Sequence, residues 1–356
     1  MRIGRVHLST PFAVAPMAGM TDTAFRRLVK RNGGCGLVVT EMVSSEGLVR
    51  GIDRTLEYTE FTDEERPVSI QVFGGDPAKM AEAARIVEGI GADIVDVNMG
   101  CPVPKIAKHH AGCSLMREPE QAAKVVEAMA QAVKIPVTVK MRAGWNDAEK
   151  NAPRLAQLVE RAGAAAVAVH GRTAAQSYSG EADWGLVEHI AGCLAIPVFG
   201  SGDCVEPQQV IDRRQSGIAG VLVGRGVLRN PWILAQAGDL AQGRPPRAVT
   251  RAERSRFLLD YIDLLQDERL REPQGFRHAA PGASSVPPGA RGGQATHDRW
   301  VINKIRALAA YYTKGFEQGA HLRTTLNRVD SLVELRASIV SFFDEPASTP
   351  RAAIAP

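Results

Sequence analysis

Gly91-Ala92-Asp93-Ile94-Val95-Asp96-Val97-Asn98-Met99-Gly100-Cys101-Pro102 is the stretch whose reading decides the fold. A helical pattern over 78–89, opened by Asp76 as cap and Pro77 at its first position, runs into the glycine. Glycine and a small residue there fit a helix C-terminus, and the apolar run that follows alternates with acids as a strand does. Gly100 and Pro102 then break the chain into a sharp loop with a cysteine at its tip. The same sequence of helix, glycine, small residue and β-branched run recurs at Gly163-Ala164 and Gly217-Ile218. Ile-Pro-Val opens the runs that begin at Ile135 and Ile196.

Working outward, apolar strand-like runs fall at 12–15, 37–41, 68–72, 94–97, 135–140, 166–170, 196–199 and 220–223, with helical stretches between them. Strands joined by helical crossovers make a parallel sheet. Eight such units favour closure into a TIM (β/α)8 barrel over an open sheet. The dinucleotide-binding alternative needs G-x-G-x-x-G after the first strand, and Ala15-Pro16-Met17-Ala18-Gly19 does not supply it. The fold class expected is therefore α/β, a TIM barrel over 1–243. Thr250 and Glu253 form a capping box for a helix to about 271, and 300–312 and 322–343 read as helices. A small C-terminal helical domain over 244–345 is expected. Residues 273–298, rich in Pro, Gly, Ala and Ser, read as a disordered insertion in it, and 346–356 as a flexible tail.

With 45% hydrophobic and 23% charged residues and no apolar window of membrane length, the chain is expected to be soluble, without a membrane segment. The five cysteines show no C-x-x-C spacing, so no metal site is expected and a reduced, cytoplasmic setting is. A net charge of +4 permits an anionic partner without demanding one.

In a TIM barrel the active site lies at the C-terminal ends of the strands. Gln71, Asn98, Cys101, Lys140, Arg142 and His170 all fall there. Cys101 is open to two readings, a small buried thiol or a reactive one tuned by nearby cations such as Lys105. Gly200-Ser201-Gly202-Asp203 and Gly224-Arg225-Gly226, after strands seven and eight, suit phosphate, because glycine lets backbone N–H groups approach an anion closely. Phosphate alone does not separate a sugar phosphate from flavin mononucleotide.

Ala15-Pro16-Met17-Ala18-Gly19-Met20-Thr21-Asp22, Asp96-Val97-Asn98-Met99-Gly100-Cys101-Pro102, Val169-His170-Gly171-Arg172-Thr173 and Gly224-Arg225 resemble the tRNA-dihydrouridine synthase family, most of all its bacterial DusB branch. The resemblance spans about 1–240 in order and spacing. It implies an FMN enzyme that reduces a specific uridine in tRNA to 5,6-dihydrouridine, recharged by NADPH (or NADH), with no obligate protein partner. It implies FMN contacts from Pro16, Met17, Ala18, Gln71, Lys140, Ser201, Gly202, Asp203, Gly224 and Arg225, with His170 beside the flavin or its phosphate. Cys101 becomes the proton donor to C5 of the base while hydride goes to C6. Asn98 or Arg142 is expected at the uracil. Lys105, with Lys108, His109 and His110, is either a contact to the surrounding phosphates or part of a solvated basic loop. Arg306, Lys314, Arg323 and Arg328 of the helical domain offer a second RNA surface.

The chain departs from the family at Ser201-Gly202-Asp203, where Asn-Gly-Asp is usual, and at Arg306-Ala307-Leu308, where Arg-Lys-His is usual. Two alternatives remain at this point: a flavin-dependent reductase of a free pyrimidine or other small molecule, and an RNA-binding regulatory protein without catalysis.

Overall fold

A computed structural model describes residues 1–103, 106, 110–215, 217–267, 277–279 and 293–344. Eight parallel strands close into a barrel: β1 (Phe12–Val14), β2 (Leu37–Val39), β3 (Val68–Phe73), β4 (Ile94–Met99), β5 (Val137–Arg142), β6 (Ala166–His170), β7 (Val198–Ser201) and β8 (Gly220–Val223). Each pairs with the next, and β8 returns to β1 through Val221↔Phe12, Leu222↔Ala13 and Val223↔Val14. Helices α1 (Thr23–Asn32), α2 (Pro77–Ile90), α3 (Pro119–Ala132), α4 (Ala152–Arg161), α5 (Trp184–Cys193) and α6 (Pro207–Gln215) supply crossovers. The TIM barrel expected from the alternation is the fold observed.

The repeat has a physical basis. Gly91, Gly163 and Gly217 lie at φ of 94°, 99° and 90°, a left-handed conformation that turns the chain from helix to strand and that glycine alone adopts without strain. A second device goes with it. Glu88 of α2 accepts the N–H groups of Lys134 and Ile135 at 2.7 and 3.1 Å, and Glu160 of α4 accepts those of Ala195 and Ile196 at 2.7 and 3.1 Å. Both Ile-Pro-Val motifs are thereby pinned to a preceding helix. β5 and β7 begin at Val137 and Val198, after the prolines and not at the isoleucines, because proline has no N–H to give the ladder.

The barrel interior is apolar below and polar above. Ala13, Ala15, Leu37, Ile94, Ala166, Ala168, Phe199 and Leu222 fill it, and Ile3 and Leu8 join the same cluster. Ile3 belongs to an N-terminal hairpin, Arg2–Ile3 with Val6–His7, and Leu8 follows it; pattern reading overlooked the hairpin because its strands are two residues long. Between β2 and β3 the chain makes two short helices, Ser45–Val49 and Asp53–Glu57, and a strand, Phe61–Thr62. Buried Arg26 of α1 ties this excursion down, donating to Glu65 at 2.6 Å and to the carbonyls of Thr21 and Glu60 at 2.7 and 2.8 Å.

Two units divide the chain, the first Met1–Arg247 with Arg277–His278 and the second made of the remaining helices. Within 273–298 the described residues include parts of two regular elements. Arg277–His278 pairs antiparallel with Phe61–Thr62, His278 stacks on Phe61 at 4.6 Å, and a helix begins at Gln294. The rest of that stretch, and the tail at 346–356, lie outside the described residues.

The second unit contains α7 (Arg251–Asp267), α8 (Gln294–Tyr312), α9 (Gly319–Arg328) and α10 (Leu332–Asp344). Thr250 and Glu253 make the expected capping box, with backbone-to-side-chain bonds of 2.8 and 3.1 Å. The single helix expected over 322–343 is two. Arg306 explains the break: its guanidinium donates to the carbonyls of Leu326, Asn327 and Val329 at 2.8, 3.0 and 2.8 Å, so the end of α9 is satisfied from outside. Among the described residues no helix is long and apolar enough to cross a membrane.

Candidate active site

The strand exits surround a cleft of about 570 Å³, solvent mouth included. Of the expected cofactor residues, Pro16, Met17, Lys140, His170, Ser201, Gly202, Asp203, Gly224 and Arg225 line it. Ala18 sits exposed on the turn after β1. That turn is held at both ends. Thr21 Oγ1 accepts the Met17 N–H at 3.1 Å, and buried Glu41 accepts the Gly19 N–H at 2.5 Å.

The floor after β7 and β8 is built for glycine. Gly202 has φ 128°, and a Cβ there would lie 2.5 Å from the Ala182 Cβ and 3.2 Å from the His170 ring. A Cβ on Gly226 would lie 2.1 Å from the Cys204 carbonyl oxygen. Asp203 takes φ 54° and accepts the Ala182 N–H at 2.8 Å. Its carboxylate is bound by Arg172 at 2.7 Å and approached by Arg225 at 3.6 Å, so its charge is offset within the protein. The cleft is left cationic through Lys140 and Arg225.

Burial pulls the Lys140 amine down to about 8, with the like charge of Arg142 adding to the effect. Burial also pushes the His170 imidazole down to about 2, helped by Lys140, Arg142, Arg172 and Arg225, so it is neutral near pH 7. A neutral imidazole beside a cationic floor can donate or accept a hydrogen bond without adding charge.

Cys101, half-buried, stands just after β4. Burial raises its thiol above the ordinary range, against a backbone N–H from Val103 and the charges of Arg142 and Lys140. It is a thiol kept protonated, not a thiolate. Asn98 and Gln71 hold its loop. Asn98 Oδ1 accepts the N–H groups of Gly100 and Cys101 at 3.1 and 3.0 Å, and Asn98 Nδ2 donates to Gln71 Oε1 at 2.7 Å. Arg142 clamps the same loop, its Nε donating to the Gly100 carbonyl at 2.9 Å and its Nη1 to the Thr173 and Ser177 carbonyls at 2.9 and 2.8 Å. Lys105 lies outside the described residues, as do Lys108 and His109. His110 is exposed and 3.2 Å from Glu118.

Two side chains escaped the sequence reading. Tyr178 lines the cleft, its ring 6.3 Å from that of His170 and beneath the guanidinium groups of Arg225 and Arg142 at 4.6 and 5.7 Å. A tyrosine on a strand-exit loop of an aromatic-poor chain was the available signal. Arg172, 2% exposed, is the partner of Asp203. It sits in a quoted motif, but pattern alone gave it no partner.

Cradle and charge suit a flat, anionic cofactor: bulk is excluded at Gly202 and Gly226, and cations face the space from β5 and from the short helix Arg225–Arg229 after β8. The family model described as dihydrouridine synthase matches residues 13–294. A probable tRNA-dihydrouridine synthase of Rickettsia conorii is 39% identical over 81% of this chain and 88% of its own length. tRNA-dihydrouridine synthase B of Xanthomonas axonopodis pv. citri is 34% identical over 97% of this chain and 96% of its own. The enzyme of that name from Pseudomonas aeruginosa is 39% identical over 74% and 79%.

Proposed function

The chain belongs to the dihydrouridine synthase family, and from that premise we propose that it reduces a specific uridine of tRNA to 5,6-dihydrouridine, with FMN as cofactor and NADPH or NADH as reductant. One observation carries the reading: half-buried Cys101 stands just after β4 on a loop clamped by Arg142 and by Asn98, the strand-mate of Lys140, which lines the glycine-floored cationic cleft. The net change saturates the C5–C6 double bond of the base, hydride arriving at C6 and a proton at C5, while the nicotinamide nucleotide is oxidised.

FMN, when bound, supplies the hydride. Pro16, Met17, Lys140, Ser201, Gly202, Gly224 and Arg225 would hold it. Lys140 would offset negative charge at the ring, and Arg225 would offer a charge-assisted contact to the phosphate. Asp203 acts there through Arg172 and Arg225, since a carboxylate repels phosphate. Neutral His170 would hold a hydrogen bond at the flavin edge. Gln71, buried and outside the residues that line the cleft, keeps one N–H hydrogen that the Asp96 contact does not use.

Cys101 keeps its proton on Sγ until C5 requires it. Asn98 and Arg142 set where that sulfur stands through the loop they bind; both Asn98 N–H hydrogens are engaged, by Gln71 Oε1 and Met42 Sδ, so the Arg142 Nη2 group is what would meet the uracil. The base leaves its stack to reach this depth. Exposed Lys314 and Arg328 of the helical unit, with Lys105 and its neighbours, serve the phosphate backbone. An enzyme of tRNA works where tRNA is, in the cytoplasm.

The test is direct. Purified protein is incubated with NADPH and with tRNA lacking the modification, and the digested nucleosides are read by mass spectrometry. Dihydrouridine at one position is the expected result. A colourless protein that takes up no FMN and makes no dihydrouridine overturns the proposal.

A further inference from the structure

Two backbone N–H groups, those of Gly100 and Cys101, can only donate, so the Asn98 atom that meets them is its oxygen. Asn98 must then turn its NH2 toward Gln71, 2.7 Å away, which must answer with its own oxygen. Gln71 in turn presents its NH2 to Asp96 Oδ2 at 2.7 Å, and Thr138 Oγ1 donates to the other carboxylate oxygen at 2.6 Å. Register brings the members together: Gln71 pairs with Asp96 across β3 and β4, and Asp96 with Thr138 across β4 and β5. Asp96, Gln71 and Asn98 are 6%, 1% and 8% exposed, so water does not replace a lost partner at little cost.

From the loop inward, every amide direction is forced, and the relay needs an accepting oxygen at its inner end. Asp96 is that acceptor. We infer that Asp96 is a positioning residue which, by fixing the direction of the Gln71 and Asn98 amides, holds the Cys101 loop in its proton-donating placement. The inference rests on the proposed role of Cys101. Without the carboxylate, Gln71 is free to turn over, Asn98 loses its reason to show oxygen outward, and the two loop N–H groups lose their acceptor.

The relay makes a specific claim about charge. The acceptor can be moved to position 71, provided that position 96 then donates. Gln71→Glu alone sets two carboxylates against each other. With Asp96→Asn added, the new amide at position 96 donates to the new carboxylate at position 71. That carboxylate accepts from Asn98, and Thr138 still finds an oxygen.

The test compares wild type, Asp96→Leu, Gln71→Glu and the double variant Gln71→Glu/Asp96→Asn as purified flavoproteins. Alkylation of Cys101 by iodoacetamide is followed by mass spectrometry against exposed Cys193 as the internal reference. The two half-reactions, flavin bleaching by NADPH and dihydrouridine formation on tRNA, are timed separately. In Asp96→Leu, alkylation of Cys101 relative to Cys193 should change several-fold and dihydrouridine formation should fall about tenfold or more, with bleaching little altered. The double variant should alkylate and turn over more nearly like wild type than Gln71→Glu does. Wild-type alkylation and turnover in Asp96→Leu, equal loss in both half-reactions, or a double variant no better than Gln71→Glu overturns the inference. If Asp96→Leu does not fold, the comparison of the double with the single variant decides. Alkylation needs no turnover, so a wild type that makes no dihydrouridine contradicts the proposed function while the relay is still read.

Discussion

The side-chain oxygen of Asn98 accepts the backbone N–H of Cys101 at 3.0 Å, a bond that closes a short turn of chain onto the end of β4. It places the thiol by fixing the backbone that carries it. The sulfur's address is thus written in a neighbouring amide.

Replacing Asn98 with alanine removes the acceptor for both the Gly100 and Cys101 N–H groups. The expected cost in stability is about 1–3 kcal/mol, read from urea denaturation. Dihydrouridine formation should fall by about tenfold to a hundredfold, because a misplacement near 1 Å is enough. NADPH-driven bleaching of the flavin should change little, and equal loss in both steps would argue against a loop-specific role.

Lys140 gives the cleft a pH dependence. Its amine is held down to about 8, so in the free protein the charge that attracts an anionic cofactor is present below pH 8 and lost as pH rises above it. A bound anion favours the charged form. FMN affinity should therefore be full below about pH 8 and weaken above it, by at most about tenfold per pH unit. Lys140→Arg should move this limb out of range, since guanidinium stays charged. Fluorescence titration of FMN from pH 7 to pH 9.5 (roughly the window in which amine and guanidinium differ) measures it, and identical curves for the two proteins would remove Lys140 as the titrating group.

His170 acts on stability with the opposite end of the scale. The imidazole is depressed to about 2 in the folded state, below its ordinary 6.5, so the unfolded chain binds the proton first as pH falls. Its contribution is whole above 6.5 and is lost as pH drops toward 2, by at most about 1.4 kcal/mol per pH unit. His170→Gln should flatten the acid limb of a stability-against-pH curve from urea melts. The same slope in both proteins would mean that His170 does not titrate this way.

Gly202→Ala should damage the floor twice over, through φ 128° and through a Cβ 2.5 Å from the Ala182 Cβ. A loss of about 1–3 kcal/mol in stability is expected, with weaker FMN retention on gel filtration. A variant that melts and holds flavin like wild type would show that this turn has room.

Much of this was legible because the residues concerned do one thing. The glycines at 91, 163 and 217 mark helix ends by backbone conformation alone, and β6 and β8 lie where β-branched runs placed them. The cleft could be read because exits of parallel strands gather at one end, whatever their sequence distance. Side chains whose meaning depends on a distant partner stayed dark. Gln71 and Asn98 carry no mark of being bonded to each other, and Arg306 shows no sign that it ends a helix twenty residues on. Elements of two residues, such as Arg277–His278 against Phe61–Thr62, are too short for periodicity to register, and here a Pro- and Gly-rich context hid one of them.

The central claim is that Cys101 gives the proton to C5. Cys101→Ala is compared with wild type on unmodified tRNA with NADPH, following flavin bleaching and then dihydrouridine by mass spectrometry. The account predicts that the variant keeps its flavin and its bleaching by NADPH but forms no dihydrouridine above background. Dihydrouridine at the wild-type rate in Cys101→Ala would contradict it.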